Sequence, residues 1–146
     1  MLTESNESIV LLPVHPHYVL EILAGRKTVE FRRRVPRRRP SWLYLYATSP
    51  ISAILGFVEV VDLVQEAPSV LWERYSNAGS IDKHSFDTYF SDSCEGYAYL
   101  LGDSYEFSES KRIQSVPSVS AVPQSFKYLT EVDVTFLADT CDLRLP

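Results

Sequence analysis

Apolar and polar positions follow two different periods along the chain, and each change of period marks an element. Residues 9 to 14, Ile-Val-Leu-Leu-Pro-Val, form a short apolar run that predicts a buried first strand. From 16 to 24 the spacing becomes helical: Pro16 suits a first helical position, and Val19, Ile22 and Leu23 share one face. Gly25 stands where a helix C-cap takes a left-handed residue. Beyond it, Thr28, Glu30 and Arg32 alternate with Val29 and Phe31, which predicts a strand with one apolar and one ionic face.

Residues 42 to 47 read as a strand, with Leu43 and Leu45 on one side and Trp42, Tyr44 and Tyr46 on the other. Thr48-Ser-Pro50 reads as a turn. Residues 53 to 64 predict a long, mostly buried strand in which Gly56 marks a bulge or bend. Glu59 is its odd residue, either outward-facing or paired with a base such as Lys27 or Arg32. Two helices follow, 68 to 76 and 80 to 90, separated at Gly79; Ser80 is the expected N-cap of the second, and Phe86, Tyr89 and Phe90 its apolar stripe. Residues 97 to 101 predict a strand ending at Gly102-Asp103, with 105 to 107 continuing beyond a turn. The Ser-, Val- and Pro-rich stretch from 108 to 123 predicts the longest loop, and 124 to 129 one helical turn. Residues 131 to 137 alternate as a final strand, with Val132, Val134 and Phe136 inward.

With 146 residues and 45% apolar content, the chain predicts one domain, 1 to 146, with a single substantial core. No apolar run is long enough to span a bilayer, and the N-terminus lacks the basic start of a secretory signal, so a soluble cytoplasmic protein is expected. Residues 1 to 7 are polar and expected to be loose. Cys94 and Cys141 lack metal-type spacing, which predicts two reduced thiols and neither zinc nor a disulfide framework. His15 and His17 flank Pro16 without a nearby third ligand, so a capping or surface role is favoured over a metal. No metal or other cofactor is expected.

Charge changes the picture more than composition does. Net charge is −5, yet residues 26 to 39 hold eight of the fourteen basic residues and one of the nineteen acids, +7 there against −12 elsewhere. Such a body attracts a polyanion to one face and repels it from the rest. The run Arg32-Arg-Arg-Val-Pro-Arg-Arg-Arg-Pro40 reads as an exposed strand end and loop, because six buried guanidiniums would need six partners. Arg33, Arg34, Arg37, Arg38 and Arg39 are candidate phosphate contacts, against the plainer reading of a solubility loop. Trp42, Tyr44 and Tyr46 follow directly, and basic residues beside aromatics suit a single strand, although a core role is the commoner one for such a row.

The octet Gly25-Arg-Lys-Thr-Val-Glu-Phe-Arg32 resembles the signature of the ASCH (activating signal cointegrator homology) domains, approximately Gly-x-Lys-x-x-Glu-x-Arg. Gly25, Lys27, Glu30 and Arg32 fill its four positions. The resemblance extends to Leu12-Pro-Val-His-Pro16, Tyr44-Leu-Tyr-Ala-Thr-Ser-Pro50 and Pro123-Gln-Ser-Phe-Lys-Tyr-Leu129, and so covers most of the chain. It implies an α+β fold: a small mixed or antiparallel β-barrel, similar to the PUA RNA-binding domain, flanked by three or so short helices, with a cleft beside the signature strand. Some members of the family are amidohydrolases acting on an acetylated cytidine nucleoside, with a lysine at the position of Lys27, a threonine at that of Glu30 and a later glutamate. Here the threonine is replaced, and no acid stands around 77 to 80, so that activity does not carry over.

No Gly-rich phosphate loop, zinc motif or nucleophile elbow is present. Two readings remain. In the first, the chain is an RNA-binding or regulatory module whose ligand, single-stranded RNA or something nucleotide-like, meets Lys27, Thr28, Glu30, Arg32, Ser125 and Tyr128. In the second, it is a hydrolase acting on a modified nucleoside or on RNA, with Lys27 and Glu30 as the catalytic pair. The charge segregation favours the first.

Overall fold

The computed structural model describes residues 7–140 and 143–144, with side chains through residue 138. In chain order the elements are β1 (Ile9–Val14), α1 (Pro16–Leu23), β2 (Val29–Arg32), β3 (Trp42–Ala47), β4 (Ala53–Glu66), α2 (Pro68–Tyr75), α3 (Lys83–Tyr89), β5 (Gly96–Lys111), a 3-10 turn (Ile113–Ser115), β6 (Lys127–Tyr128), α4 (Glu131–Thr140) and β7 (Leu143–Arg144). The first six residues and Cys141, for which a loose terminus and a reduced thiol were expected, lie outside the described residues.

All strands join one mixed sheet in the order β2-β5-β4-β3-β1-β6, with β7 against β5. Among the described residues, only β1 and β3 run parallel. Every residue of β1 is buried because the strand has neighbours on both edges and packing on both faces. The expected barrel is not closed: the path ends at β2 on one side and β6 on the other. Those edges nevertheless approach one another, since the Arg32 side chain on β2 donates to the carbonyl of Pro13 on β1 and to that of Ser125 just before β6, each at 3.2 Å. A guanidinium thus spans a seam that no backbone ladder closes.

Apolar side chains divide into three packed groups. Val10, Leu12, Leu43, Leu45 and Tyr99 of the sheet pack with Val19 and Ile22 of α1. Tyr44, Tyr46, Ile54 and Phe107 pack with Leu137 of α4 on another face. Val29, Phe31 and Ala98 meet Leu71, Phe86 and Phe90 from α2 and α3. The tyrosines of β3 are therefore core, only 5% and 4% exposed at Tyr44 and Tyr46, and Tyr44 stacks on Phe57 at 5.0 Å. Those two rings do not offer bases a platform, and Trp42, partly buried, packs edge-on against Phe57.

Four local expectations are corrected. Residues 96 to 111 are one continuous strand rather than two, because β4, itself irregular in register, pairs on both sides of Gly102-Asp103. Helix α3 begins at Lys83 with Asp82 as its cap, accepting from Ser85 N at 2.8 Å; Ser80 instead takes a positive φ of 49°. Residues 127 and 128 pair with β1 as a strand rather than forming a helical turn. The segment after Thr130 is a helix, not a strand: Asp133 N donates to Thr130 Oγ1 at 3.1 Å and Thr130 N to Asp133 Oδ2 at 2.9 Å, a reciprocal capping box. Val134 and Leu137 turn inward while Val132 is 65% exposed, so the alternation of valines was coincidental and Thr130-x-x-Asp133 was the informative pattern.

Candidate functional site

The site starts from the end of α1. Gly25 adopts φ 81°, its N–H bonds to Ile22 O, and Arg26 N bonds to Glu21 O, both at 3.0 Å; these are the two bonds of a Schellman cap. Lys27 N also reaches Glu21 O at 3.0 Å, which turns the lysine inward although sequence parity would set it apart from the ionic face of β2. Its side chain is 2% exposed, and Nζ donates to the carbonyl of Gly79. That approach needs a glycine, because the Phe31 ring occupies the place where a Cβ would stand.

Glu30 lies between two cations. Its Oε1 is 3.4 Å from Lys27 Nζ and its Oε2 3.2 Å from Arg32 Nη1, with side-chain exposures of 2%, 7% and 15% for lysine, glutamate and arginine. The trio carries one net positive charge, and Arg32 spreads its donors over two carbonyls as well. Burial pulls the Lys27 ammonium below its usual pKa, a shift that the nearby Glu30 opposes. The Tyr18 ring is 4.9 Å from Lys27 Nζ, and its phenol is raised, first by burial and then by Asp82 and Glu30. Tyr99 faces Glu30 across the β2–β5 ladder, is fully buried, and has a hydroxyl without a hydrogen-bond partner. Burial raises its pKa strongly.

Lys27, Glu30 and Arg32 line a cleft of about 280 Å³ together with His15, Tyr18, Phe31, Ser85 and Tyr89. A second cleft of about 220 Å³ shares Arg32 and Tyr89 with the first and is completed by Arg33, Arg34, Gln124 and Ser125. Arg33 N donates to Tyr89 Oη at 3.0 Å, and its guanidinium lies 4.7 Å from the ring centre.

The structure therefore unites Lys27, Glu30 and Arg32, with Ser125 and two of the arginines beside them. Thr28 is exposed and lines neither cleft; its backbone is held by Ala78 and Leu101. Tyr128 also lies outside both, in contact with Arg38. Arg39 is engaged with Asp62 and the Val61 carbonyl, and Arg37 lines neither cleft. Glu59 does not take Lys27 or Arg32, which pair with Glu30. His15 caps α1, as its place before Pro16 suggested, accepting from His17 N at 3.2 Å. Tyr18, Ser85, Tyr89 and Gln124 were missed: three sit on helices, where periodicity speaks only of packing, and all four reach the site through tertiary contact. Among the described residues, no group of three or more His, Cys, Asp or Glu is arranged to hold a metal ion, and Cys94 is exposed. No described helix is long and apolar enough to cross a membrane.

An open mixed sheet with a buried Lys–Glu–Arg trio at a helix-to-strand junction defines a class, and the comparisons agree on which. The ASCH domain family model matches residues 12–115, and the chain belongs to that family. An ASCH domain-containing ribonuclease from Zymomonas mobilis is 33% identical over 101 residues, spanning 68% of this chain and 67% of that protein. The crystal structure of ASCH from Zymomonas mobilis superposes with a TM-score of 0.86 at 26% identity, over 92% of this chain and 96% of the other. The N-terminal domain of Staphylothermus marinus McrB, at 9% identity and a TM-score of 0.58, shares the fold alone, over 90% of this chain and 93% of its own.

Proposed function

We propose that the protein binds single-stranded RNA, taking a nucleotide into the Lys27–Glu30–Arg32 cleft and its phosphate into the arginine-lined cleft beside it. The observation that carries this reading is the junction itself: Arg32 and Tyr89 belong to both clefts, so an apolar and aromatic recess opens directly onto Arg33 and Arg34. A base in the first cleft would meet Tyr18, Phe31 and Tyr89 as walls, and the Glu30–Arg32 pair as a polar edge offering both an acceptor and a donor. The guanidiniums of Arg33 and Arg34 suit the geometry of a phosphate.

The test is the binding of labelled single-stranded RNA at two salt concentrations. Affinity should fall as salt rises, and replacing Arg33 and Arg34 by Ala should weaken binding and flatten the log–log salt slope by about 1.4, roughly 0.7 for each phosphate no longer neutralised. A slope unchanged by the double substitution would remove the arginine cleft from the interface.

A second reading, ribonuclease action at the same cleft, is favoured by the 33% identity to the Zymomonas mobilis ribonuclease. Here Lys27 and Glu30 would act on the bound strand, with Arg32 beside the scissile phosphate. Incubating end-labelled RNA with the protein should then yield discrete products, and Lys27→Ala should abolish them while circular dichroism shows the fold intact. Undegraded RNA that nevertheless stays bound would leave the binding module alone.

A further inference from the structure

We infer that the protein carries a second phosphate-and-base subsite at Arg38 and Tyr128, so that RNA leaving the cleft continues along β6 and the bound segment is longer than one nucleotide. This rests on the RNA-binding reading and extends it.

The arginine loop makes the same arrangement twice. At one end, Arg33 N donates to Tyr89 Oη while the Arg33 guanidinium lies over the Tyr89 ring. At the other, Arg38 N donates to Tyr128 Oη at 3.2 Å while its guanidinium lies 5.8 Å from the Tyr128 ring centre. In both units the phenolic oxygen is fixed as an acceptor, which leaves its own O–H to donate outward. Each guanidinium lies within cation–π range of its ring, closer at Tyr89 than at Tyr128, and the backbone bond to the same phenol limits its freedom, so less entropy is lost when it receives a ligand. The first unit lines a cleft already assigned to phosphate; the second repeats its chemistry.

The fold holds the two units apart on a common path. Val35 packs on the core and Pro36 is buried, which anchors the loop midway and leaves Arg33 and Arg34 on one side and Arg38 on the other, all exposed. Ser125 lines the arginine cleft, and Tyr128, on β6, follows three residues later along the same segment. Tyr128 is 37% exposed on β6, the edge strand beside β1, and so stands open to a ligand. Arg39 differs from its neighbours in being occupied by Asp62 and the Val61 carbonyl. Of the second arginine triplet, Arg38 is the one mounted on an aromatic ring. A base could stack on the outer plane of its guanidinium while a phosphate oxygen accepts from Tyr128 Oη and from the guanidinium edge.

The experiment measures the affinity of a nucleoside monophosphate and of single-stranded RNA oligonucleotides of increasing length, for the wild type, Arg38→Ala and Tyr128→Ala. In the wild type, affinity rises with length. Both variants should bind the mononucleotide as the wild type does, lose about tenfold or more on the longer strands, and for Arg38→Ala show a salt slope flatter by about 0.7. Arg38→Lys, which keeps the charge but not the planar fork, should recover the slope and not the stacking gain. Equal length dependence in wild type and variants would overturn the second subsite while sparing the cleft, as would a wild type whose affinity does not grow with length. Absence of binding to any RNA would overturn the RNA-binding reading and this subsite with it. Thermal melts of the variants separate a loosened loop from a weakened subsite, since both side chains are exposed.

Discussion

Glu30→Gln is the most informative single change, because Glu30 neutralises two cations at once. The glutamine keeps the shape and one acceptor oxygen but removes the counter-charge, so Lys27, 2% exposed, and Arg32 are left with neutral acceptors alone, among them the Gly79 carbonyl and the carbonyls of Pro13 and Ser125. At 3.4 Å, the Lys27–Glu30 attraction is about 5 kcal/mol at an effective dielectric constant near 20, before desolvation is subtracted. Breaking a buried pair by removing one partner costs about 3–5 kcal/mol, because the other charge is left uncompensated. Lys27→Met should be milder, since Glu30 then keeps Arg32 at 3.2 Å. In the double variant no buried lysine charge remains to be unpaired, so its loss should fall short of the sum of the singles by about 1–3 kcal/mol. Urea denaturation reads this directly: with a slope of about 2 kcal/mol per molar, Glu30→Gln should lower the midpoint by about 1.5 M or more. Additive losses within about 0.5 kcal/mol, or a Lys27→Met variant less stable than Glu30→Gln, would refute a trio centred on the carboxylate.

Tyr99→Phe removes a buried hydroxyl that has no partner and should raise stability at neutral pH by about 1 kcal/mol, or roughly 2–4 °C in Tm. The effect should grow in alkali: burial raises the folded-state pKa of Tyr99 above its ordinary value of 10.0, so the wild type holds that stability below pH 10 and loses it as pH rises beyond, whereas the phenylalanine variant has nothing there to lose. Urea midpoints of both proteins that stay parallel from pH 9 to 11 would contradict this. Asp133→Ala deletes the carboxylate that accepts from Thr130 N and from Ser118 N, each at 2.9 Å, leaves only the Asp133 N–Thr130 Oγ1 half of the capping box, and should cost about 2–4 kcal/mol, with amide exchange quickening first in α4. Unchanged exchange in α4 would show that its packing alone holds the helix.

The local grammar of the chain was legible where consecutive residues carry it. Pro16, the apolar face of α1, Gly25 and the alternation of β2 all describe contacts within a few residues, and the structure keeps them. Much the same holds for β1 and β3, and for the span of β4, but the expected burial of β4 is corrected: it is buried at intervals only as far as Val60, and beyond it Val61 is 55% exposed because, among the described residues, no further layer covers its face at that end. Where two local patterns compete, alternation is the weaker guide: the valines of 131 to 137 suit a strand, yet the two reciprocal cap bonds of Thr130-x-x-Asp133 and the inward turn of Leu137 make a helix. The signature trio is legible because its three charges fall within six residues, while Tyr89, which the stripe of α3 marks only for packing, and Gln124, in a segment with no period, join it through tertiary contact.

By itself, then, the sequence determined the helix, its left-handed stop and the charged strand after it, and it concentrated positive charge in one loop, because short-range sterics and periodicity are written in neighbouring residues. The tertiary structure alone decided what those charges do. It set Glu30 between Lys27 and Arg32, engaged Arg39 with Asp62, laid Arg33 and Arg38 on separate tyrosines, and spanned the open seam of the sheet with Arg32. The physical reason is reach. A guanidinium finds its partner through space, and those partners stand 23 residues away at Asp62, 56 at Tyr89, 90 at Tyr128 and 93 at Ser125.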